Sequence, residues 1–292
     1  MTNVIKLHAD EVDIDGGLVR RLLSAQFPQW ADLPLTLLSS QAGTSNVLYR
    51  LGDDLVVRLP RNEGAADGLA RDQLWLSRLA PYLPLAVPEV VGVGVPGEGF
   101  PLAWSVCRWL GGDDILTTPT FDEPHAAVEL GRFVAALRGV GFDGPPGFRG
   151  GALHTRDELV RAAIDALDVP GAAEMWDEAL ALPQWTGEPV WVHSDLLPGN
   201  LLARDGRLIA VIDFGGVGVG DPACDVMAAW TVLSAETRPL FRAQIDVDDA
   251  TWARGRGWAL SFGLSAAHYY GVRSPLFGDL GKRVTAEVLA DR

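Results

Sequence analysis

One short segment, 190–225, constrains the fold of this chain more than any other part of the sequence. It contains the dipeptide Asp205-Gly206, a strong signal for a two-residue β-hairpin turn, with apolar runs on both sides. In the register that this turn predicts, Asn200 lies opposite Val211, and Asp213 follows two residues later on the same face. Asn200 and Asp213 are then diagonal neighbours whose backbones lie about 7–8 Å apart.

The polar residues around this predicted hairpin have the chemistry of a magnesium and phosphate site. Amide and carboxylate oxygens are hard ligands of the kind that Mg²⁺ prefers, so Asn200 and Asp213 are the predicted metal ligands. Asp195 lies five residues before Asn200 in the same loop and is predicted to accept a proton from a hydroxyl group held beside the ion. The spacing His193-x-Asp195-x-x-x-x-Asn200, followed by Ile-Asp-Phe-Gly, matches the catalytic-loop and metal-loop signatures of protein-kinase-like phosphotransferases.

Three other polar residues of the segment have structural interpretations. His193 is predicted to hydrogen-bond the backbone near Asp213. Asp225 is predicted to cap the following helix and to brace the loop. The same role suits Asp221, for which binding of a second ion is the alternative.

Two stretches of this segment carry a family resemblance. The two stretches are HSDLLPGNLL, at 193–202, and VIDFGGVGVGDPACD, at 211–225. They resemble the aminoglycoside phosphotransferase family, whose usual motifs are close to HGDLHPGNLL and IDFG…GDPA.D. The resemblance extends from about Leu37 to the C-terminal helices. Ser194 and Leu197 depart from the family pattern, where glycine and histidine are common, but neither position has the base or metal role.

This resemblance implies a reaction and its partners. The implied donor is a nucleoside triphosphate, ATP or GTP, used with Mg²⁺, and the implied acceptor is a hydroxyl group of a small molecule. The family includes antibiotic kinases and also kinases of metabolites of the choline and homoserine type. An aminoglycoside-type or other antibiotic is the first acceptor that we expect. A kinase of an ordinary metabolite is the alternative, and a nucleotide-binding module without turnover is a third interpretation.

The distribution of strand and helix patterns, together with this resemblance, predicts an α+β, protein-kinase-like two-lobe fold. Strand and turn patterns dominate as far as Gly111-Gly112, with one main helix over 65–79, and helical patterns dominate afterwards. We therefore expect residues 1–110 to form a small antiparallel-sheet lobe that binds the nucleotide. Residues 111–292 are expected to form a larger, mostly helical lobe with the catalytic loop and the acceptor site.

A charged pair is predicted in the first lobe. The strand LVVRL places Arg58 where the family and kinases usually have a phosphate-binding lysine, the alternative being a surface arginine on an edge strand. Asp72 lies on the apolar stripe of the following helix, where an unpaired acid would be costly, so it is predicted to pair with Arg58. Glu63 is the alternative partner.

Backbone groups are predicted to complete the nucleotide site. A turn of small polar residues, whose amides and hydroxyl groups could cover the phosphates, contains Gly43, Thr44 and Ser45. An ordinary hairpin loop explains this turn equally well. By resemblance, the adenine edge would bond to the hinge backbone around Arg108, Trp109 and Leu110.

The charge of the chain narrows the partners that we expect. It has 24 lysine and arginine residues against 38 aspartate and glutamate residues, a formal net charge of −14. A surface of this sign repels nucleic acid and anionic lipid, so neither partner is expected, and it attracts cationic small molecules. Acidic residues in the helical part could bind such a cationic acceptor, and solvated helix faces are the alternative interpretation. They are Asp157, Glu158, Asp165, Glu174, Asp177 and Glu178.

Cysteine content and hydropathy predict a cytoplasmic protein. The two cysteines, Cys107 and Cys224, lie far apart, which excludes a disulfide scaffold and suits a reducing compartment. The N-terminus lacks the pattern of a signal peptide. No apolar run approaches the roughly 20 residues that would span a bilayer.

Overall fold

Five antiparallel strands form the first sheet of the structure, a computed structural model that describes residue 6 and residues 11–38 and 45–291. They are β1 (Leu35–Leu37), β2 (Asn46–Leu51), β3 (Leu55–Pro60), β4 (Val90–Gly94) and β5 (Trp104–Arg108), in the spatial order β1-β2-β3-β5-β4. Two helices accompany the sheet, α1 (Gly16–Gln26) and α2 (Glu63–Leu79). The compact unit to which these elements belong comprises Met1–Pro81, Ala86–Gly111 and Val211–Gly215.

The two faces of this sheet have different chemistry because side chains alternate along each strand. Val57 of β3 is fully buried in an apolar core that includes Leu18 and Leu22 of α1. Arg58, the next residue, lies on the opposite face and contacts α2. The first helix is fixed at its N-terminus by Asp15, whose side chain accepts a hydrogen bond from the Leu18 amide at 2.7 Å.

The second compact unit, Tyr82–Leu85, Gly112–Ala210 and Gly216–Arg292, is mostly helical. Its elements begin with β6 (Asp113–Asp114), α3 (Glu123–Arg138), α4 (Asp157–Leu167), α5 (Ala172–Leu180) and β7 (Val190–Val192). The hairpin β8 (Leu201–Arg204) and β9 (Arg207–Val211) follows, and then β10 (Gly218–Gly220). The remaining helices are α6 (Ala223–Val226), α7 (Ala228–Thr231), α8 (Arg238–Ile245), α9 (Asp249–Tyr270) and α10 (Pro275–Ala290).

The long helix α9 organises this second unit. It packs against α10 along much of its length and also contacts α4, α5 and α6. Residues from Trp258 to Leu260 and Leu264 are buried within it. A sheet-rich first unit followed by a helix-rich second unit agrees with the α+β architecture predicted from the sequence. No helix in the described part of the chain combines the length and the apolar character needed to cross a membrane.

Candidate active site

The hairpin that carries the candidate site turns where the sequence predicts. The strands β8 and β9 are neighbours in a three-stranded sheet, and between them Asp205 and Gly206 have φ angles of 51° and 76°. Two successive residues with positive φ are typical of a type I′ turn, in which Asp-Gly is favoured. The predicted hairpin is therefore confirmed.

The two strands are shorter than the predicted register requires. Asn200 ends a 3₁₀ turn, Pro198–Asn200, and β8 begins only at Leu201. Asp213 lies beyond the end of β9 and has a φ angle of 63°, in the left-handed region that aspartate tolerates. Because neither Asn200 nor Asp213 has strand geometry, the period-two alternation from which their diagonal placement was predicted does not extend to them, and their placement as neighbours stays a prediction.

Asp195 and Asn200 contact each other directly. The Nδ2 atom of Asn200 donates hydrogen bonds to the Asp195 backbone carbonyl at 2.8 Å and to Oδ2 of Asp195 at 3.0 Å. A carboxylate only accepts hydrogen bonds, so the amide must turn its NH₂ group towards Asp195. The carbonyl oxygen of Asn200 is then the atom that can ligate a cation.

Arg149, which the sequence analysis missed, forms an ion pair with Asp195. Its Nη1 atom donates to Oδ1 of Asp195 and, at 2.7 Å, to the Ser194 carbonyl. The side chains of Arg149 and Asp195 are only 15% and 26% exposed. Each carboxylate oxygen of Asp195 therefore accepts a hydrogen bond from the protein, one from Arg149 and the other from Asn200.

The loop 144–151, which carries Arg149, is held against β10 by a close approach of the two backbones. The Gly147 amide donates to the Val219 carbonyl at 3.0 Å. A Cβ atom at Gly218 would lie 2.4 Å from a carbonyl oxygen of this loop, and one at Gly220 would lie 2.3 Å from another. Glycine at both positions lets the loop lie close enough to place Arg149 beside Asp195.

Asp225 and His193 fix the backbone of the loop that carries Asp195. The carboxylate of Asp225 accepts hydrogen bonds from the amides of His193 at 2.7 Å and Ser194 at 2.8 Å. Burial raises the pKa of Asp225, although these two amides oppose the shift. His193 is fully buried, and its Nδ1 accepts a hydrogen bond from the Asp195 amide at 3.2 Å. The predicted brace is confirmed, but the capping position of α6 belongs to Pro222.

Asp221 has a structural partner in α9. Its two oxygens accept hydrogen bonds from Nε and Nη2 of Arg254 at 2.8 and 3.1 Å, and Oδ1 also accepts from the Ala223 amide at 2.9 Å. A bidentate pair of this kind fixes the carboxylate. The arrangement supports the structural interpretation of Asp221 rather than a second ion.

Replacing Ser194 by glycine is expected to raise the free energy of unfolding by about 0.5–1 kcal/mol. Ser194 has a φ angle of 71°, a conformation that costs a residue with a Cβ atom roughly 1–2 kcal/mol. Glycine avoids this cost, but its unfolded state has a larger conformational entropy, which cancels part of the stabilisation. Urea-induced unfolding of Ser194→Gly and Ser194→Ala measures the effect. Both variants remove the buried Ser194 hydroxyl group, so the alanine variant, which keeps Cβ, is the reference, and a glycine variant no more stable than the alanine variant would contradict the strain.

In the first unit, Arg58 and Asp72 form the predicted ion pair. Nη1 of Arg58 lies 2.7 Å from Oδ2 of Asp72, and the side chains are 9% and 0% exposed. Burial alone would lower the pKa of the Arg58 guanidinium, but the charge of Asp72, with a smaller contribution from Asp213, raises it. The strand β3 lies inside the sheet, so the alternative of an edge-strand surface arginine is wrong. The alternative partner, Glu63, is exposed.

Of the three residues predicted to cover the phosphates, the structure describes Ser45. Gly43 and Thr44 lie outside the described residues. Ser45 directly precedes β2, and its carbonyl accepts a hydrogen bond from the Arg61 amide at 2.9 Å. Ser45 is thereby fixed at the end of the turn.

The predicted hinge follows β5. The amide of Arg108 donates to the Glu89 carbonyl, and the amide of Trp109 donates to the Asp54 carbonyl, each at 2.8 Å. These two amides are therefore engaged within the first unit. Of the three predicted hinge residues, Leu110 is the one whose amide donates to no described residue.

The acidic residues of α4 and α5 form solvated faces. Those that are exposed are Glu158, Asp165, Glu174, Asp177 and Glu178. Asp157 is partly buried, and its Oδ1 accepts a hydrogen bond from Trp176 Nε1 at 2.8 Å. None of these contacts singles out an acidic acceptor site.

Comparison with known proteins identifies relatives by family and by fold. The model of the phosphotransferase enzyme family, abbreviated APH, matches residues 36–258. The GDP complex of wild-type aminoglycoside 2'-phosphotransferase-IIIa is 18% identical, with 95% of this chain and 99% of that chain covered and a TM-score of 0.74. Macrolide 2'-phosphotransferase MphH from Brachybacterium faecium, as apoenzyme, is 20% identical over 92% and 97% of the two chains, with a TM-score of 0.59. No curated protein sequence matches the chain.

A third solved structure, macrolide 2'-phosphotransferase type I, is 17% identical over 97% of this chain and 99% of its own, with a TM-score of 0.64. At these identities the likeness establishes the fold, which is kinase-like, with a small antiparallel-sheet N-terminal lobe and a mostly helical C-terminal lobe. The family match adds sequence evidence over well more than half of the chain. This protein therefore belongs to the APH phosphotransferase enzyme family.

Proposed function

We propose that this protein transfers the γ-phosphoryl group of a nucleoside triphosphate, ATP or GTP, to a hydroxyl group of a small molecule. The observation that carries the proposal is the arrangement of Asp195. Asn200 and Arg149 each donate to one oxygen of its carboxylate, and Asp225 braces the backbone on which it lies. This is a carboxylate held in one orientation, as a general base requires.

Asp195 is the proposed base. A carboxylate offers about four lone-pair sites, so the two hydrogen bonds it accepts leave room for a third, from the hydroxyl of an acceptor. The hydroxyl is oriented by that bond and passes its proton to Asp195 as transfer proceeds. Phosphoryl transfer depends mostly on positioning and electrostatics, and a rigidly held carboxylate supplies the positioning.

Asn200 and Asp213 are the proposed holders of Mg²⁺. The donor set fits this ion, because Asn200 must present its carbonyl oxygen away from Asp195 and Asp213 adds a carboxylate. When bound, Mg²⁺ neutralises charge on the phosphate oxygens. The charge of Asp213 contributes to the raised pKa of Arg58, which supports a role for this carboxylate near the proposed phosphate-binding arginine.

Residues 1–110 are the proposed nucleotide-binding lobe, and 111–292 the lobe with the catalytic loop and acceptor site. Arg58, oriented by Asp72, would supply the positive charge for the phosphates, with a fork geometry that a lysine lacks. The amide of Leu110, which donates to no described residue, is proposed to bond the edge of the adenine ring. The turn proposed to cover the phosphates consists of Gly43, Thr44 and Ser45, and the hinge consists of Arg108, Trp109 and Leu110.

Two classes of acceptor follow from the observations. The names of the similar structures, aminoglycoside and macrolide 2'-phosphotransferases, make an antibiotic hydroxyl the first acceptor to test. An ordinary metabolite is the second, because Asp157, the partly buried member of the predicted acidic set, is engaged by Trp176 and Arg161 and is not left for a cationic acceptor.

Nucleotide consumption across a panel of acceptors tests the proposal. We expect ATP or GTP to be consumed only when Mg²⁺ and an accepted acceptor are both present, and removal of the metal with a chelator to abolish the reaction. The panel comprises aminoglycosides, macrolides, choline, homoserine and sugars. Nucleotide binding without acceptor-dependent consumption for any compound would favour a binding module without turnover.

A further inference from the structure

Arg149 has hydrogen-bond donors that its contact with Asp195 does not use. A guanidinium group carries N–H donors on three nitrogens, Nε, Nη1 and Nη2. Nη1 of Arg149 donates to Oδ1 of Asp195 and, at 2.7 Å, to the Ser194 carbonyl, whereas Nε and Nη2 donate to no residue in the described part of the chain. The side chain of Arg149 is 15% exposed, so a ligand beside Asp195 can reach it. The Nε and Nη2 donors are therefore left for such a ligand.

The charge of Arg149 is compensated by Asp195. Within the part of the chain that the structure describes, Asp195 is the acid that lies at ion-pair distance from Arg149. The other groups around the guanidinium are aromatic rings, with centroids 4.9 Å away for Phe148 and 5.9 Å away for Phe262. A ring face attracts a cation but does not neutralise its charge. If Asp195 loses its negative charge, Arg149 becomes a partly buried cation without a counter-charge.

The proposed reaction removes that negative charge. The acceptor oxygen forms a bond to the γ-phosphorus, and the bond from this phosphorus to the bridging oxygen breaks, its electron pair leaving with the nucleoside diphosphate. The hydroxyl proton passes to Asp195, which becomes a neutral acid. The new phosphate ester carries about two negative charges. Arg149 thus loses its counter-charge in the step in which an anion forms beside it.

The new phosphate group forms within reach of Arg149. The acceptor hydroxyl and Arg149 bind the same carboxylate, so they lie no more than two hydrogen-bond lengths and the width of that carboxylate apart, roughly 8 Å. The phosphate group extends from the hydroxyl oxygen into the same space. The catalytic loop, 193–200, contains no lysine or arginine that could take this role, and Leu197 stands where the family pattern often has histidine. Arg149 is the cation that the structure places beside Asp195.

We propose that Arg149 exchanges ion-pair partners during the reaction, binding the Asp195 carboxylate before transfer and the phosphate group of the product after it. The inference rests on the proposed function, because Asp195 is the proposed base. Nε and Nη2 of Arg149 donate to the phosphate oxygens, for which the fork of a guanidinium group is well shaped. Arg149 is thereby a phosphate-binding residue of the acceptor side, in addition to Arg58 on the nucleotide side.

Asp195→Asn reproduces the uncharged state of the base and tests the exchange without turnover. The probe is inorganic phosphate, added to the full chain without nucleotide, acceptor or metal, with binding followed by ³¹P NMR. We expect Asp195→Asn to bind phosphate at least about tenfold more tightly than the wild type, at the lower end of what a charge-assisted hydrogen bond contributes. Adding Arg149→Gln should abolish this gain, and adding Arg149→Lys, which keeps the charge, should retain most of it. Adding Arg132→Gln, at an exposed position of α3, is the control and should leave the gain unchanged.

Two results would overturn the exchange: phosphate affinity in Asp195→Asn equal to that of the wild type, or a gain that persists after Arg149→Gln. If Arg149→Gln does not fold, the double variant with Arg149→Lys decides in its place, because loss of the gain there would show that the charge at this position does not bind phosphate. Nucleotide affinity is not expected to follow the gain, because Arg58 and the hinge are the proposed holders of the nucleotide.

Failure of this inference and failure of the proposed function are distinguishable. The phosphate measurement contains no nucleotide and no acceptor, so a protein that phosphorylates nothing can still show a gain that depends on Arg149. Conversely, a protein that forms a phosphate ester but shows no such gain would retain phosphoryl transfer and refute the exchange of partners.

Discussion

Replacement of Asp195 by asparagine is expected to lower turnover by about 10²–10⁴-fold, the range that a positioned general base typically contributes. Asparagine has nearly the same size, and its carbonyl can still accept the hydrogen bond from Arg149. Its NH₂ group then faces Nδ2 of Asn200 and loses that hydrogen bond, but Asn200 still donates to the backbone carbonyl of residue 195, which should keep the loop in shape. It cannot take up a proton from the acceptor hydroxyl. The measurement is kcat with Mg²⁺, nucleotide and an accepted acceptor, together with nucleotide affinity, which we expect to change little.

The hairpin itself provides the control for this variant. Asp205→Asn removes one carboxylate ten residues further along the chain, at a turn where Asn-Gly is as favourable as Asp-Gly. It should turn over at the wild-type rate. If Asp195→Asn also does so, Asp195 is not the base.

Asp72→Asn is expected to lower the free energy of unfolding by about 3–5 kcal/mol, because it leaves the buried charge of Arg58 without its counter-charge. Ten tryptophans provide the fluorescence signal for urea-induced unfolding. Asp67→Asn, at an exposed position of the same helix, should change stability by no more than about 0.5 kcal/mol. An Asp72→Asn variant as stable as the wild type would contradict a stabilising role for the ion pair of Arg58 and Asp72.

A double variant separates the structural role of Arg58 from its proposed binding role. Replacing both partners by apolar residues, Arg58→Met with Asp72→Leu, removes both buried charges, and we expect most of the stability to return. The phosphates of the nucleotide would still lose their proposed cationic partner. Nucleotide affinity equal to that of the wild type in this double variant would show that Arg58 does not bind the phosphates.

The features predicted correctly from the sequence have causes that are local along the chain. The turn follows from the backbone preferences of Asp205 and Gly206 alone. The pair of Arg58 and Asp72 follows from helical periodicity, because Asp72 stands where apolar residues are expected and must find a partner. In both cases a few neighbouring residues determine the outcome.

The relation between Asn200 and Asp213 shows where such reasoning stops. Side chains alternate with period two only within strands, and Pro198 begins a 3₁₀ turn that ends at Asn200. Asp213 leaves strand geometry through a positive φ angle. A pattern of apolar residues does not reveal either strand end to within one residue, so the diagonal pairing could not be derived from it.

Arg149 could not be found from spacing because it lies 46 residues before Asp195. It reaches the carboxylate through a loop whose backbone passes against β10, and the trace in the sequence is the pair Gly218 and Gly220. Glycine inside a strand indicates that another backbone approaches closely, but it does not say which one.

The identity of the reaction product tests phosphoryl transfer most directly. We would incubate the protein with Mg²⁺, ATP and an accepted acceptor and record ³¹P NMR spectra over time. We predict a new phosphate-ester resonance that grows with the wild type and with Asp205→Asn, and at least about a hundredfold more slowly with Asp195→Asn. Release of inorganic phosphate without any ester, or an ester formed equally fast by Asp195→Asn, would contradict transfer to a hydroxyl group with Asp195 as base.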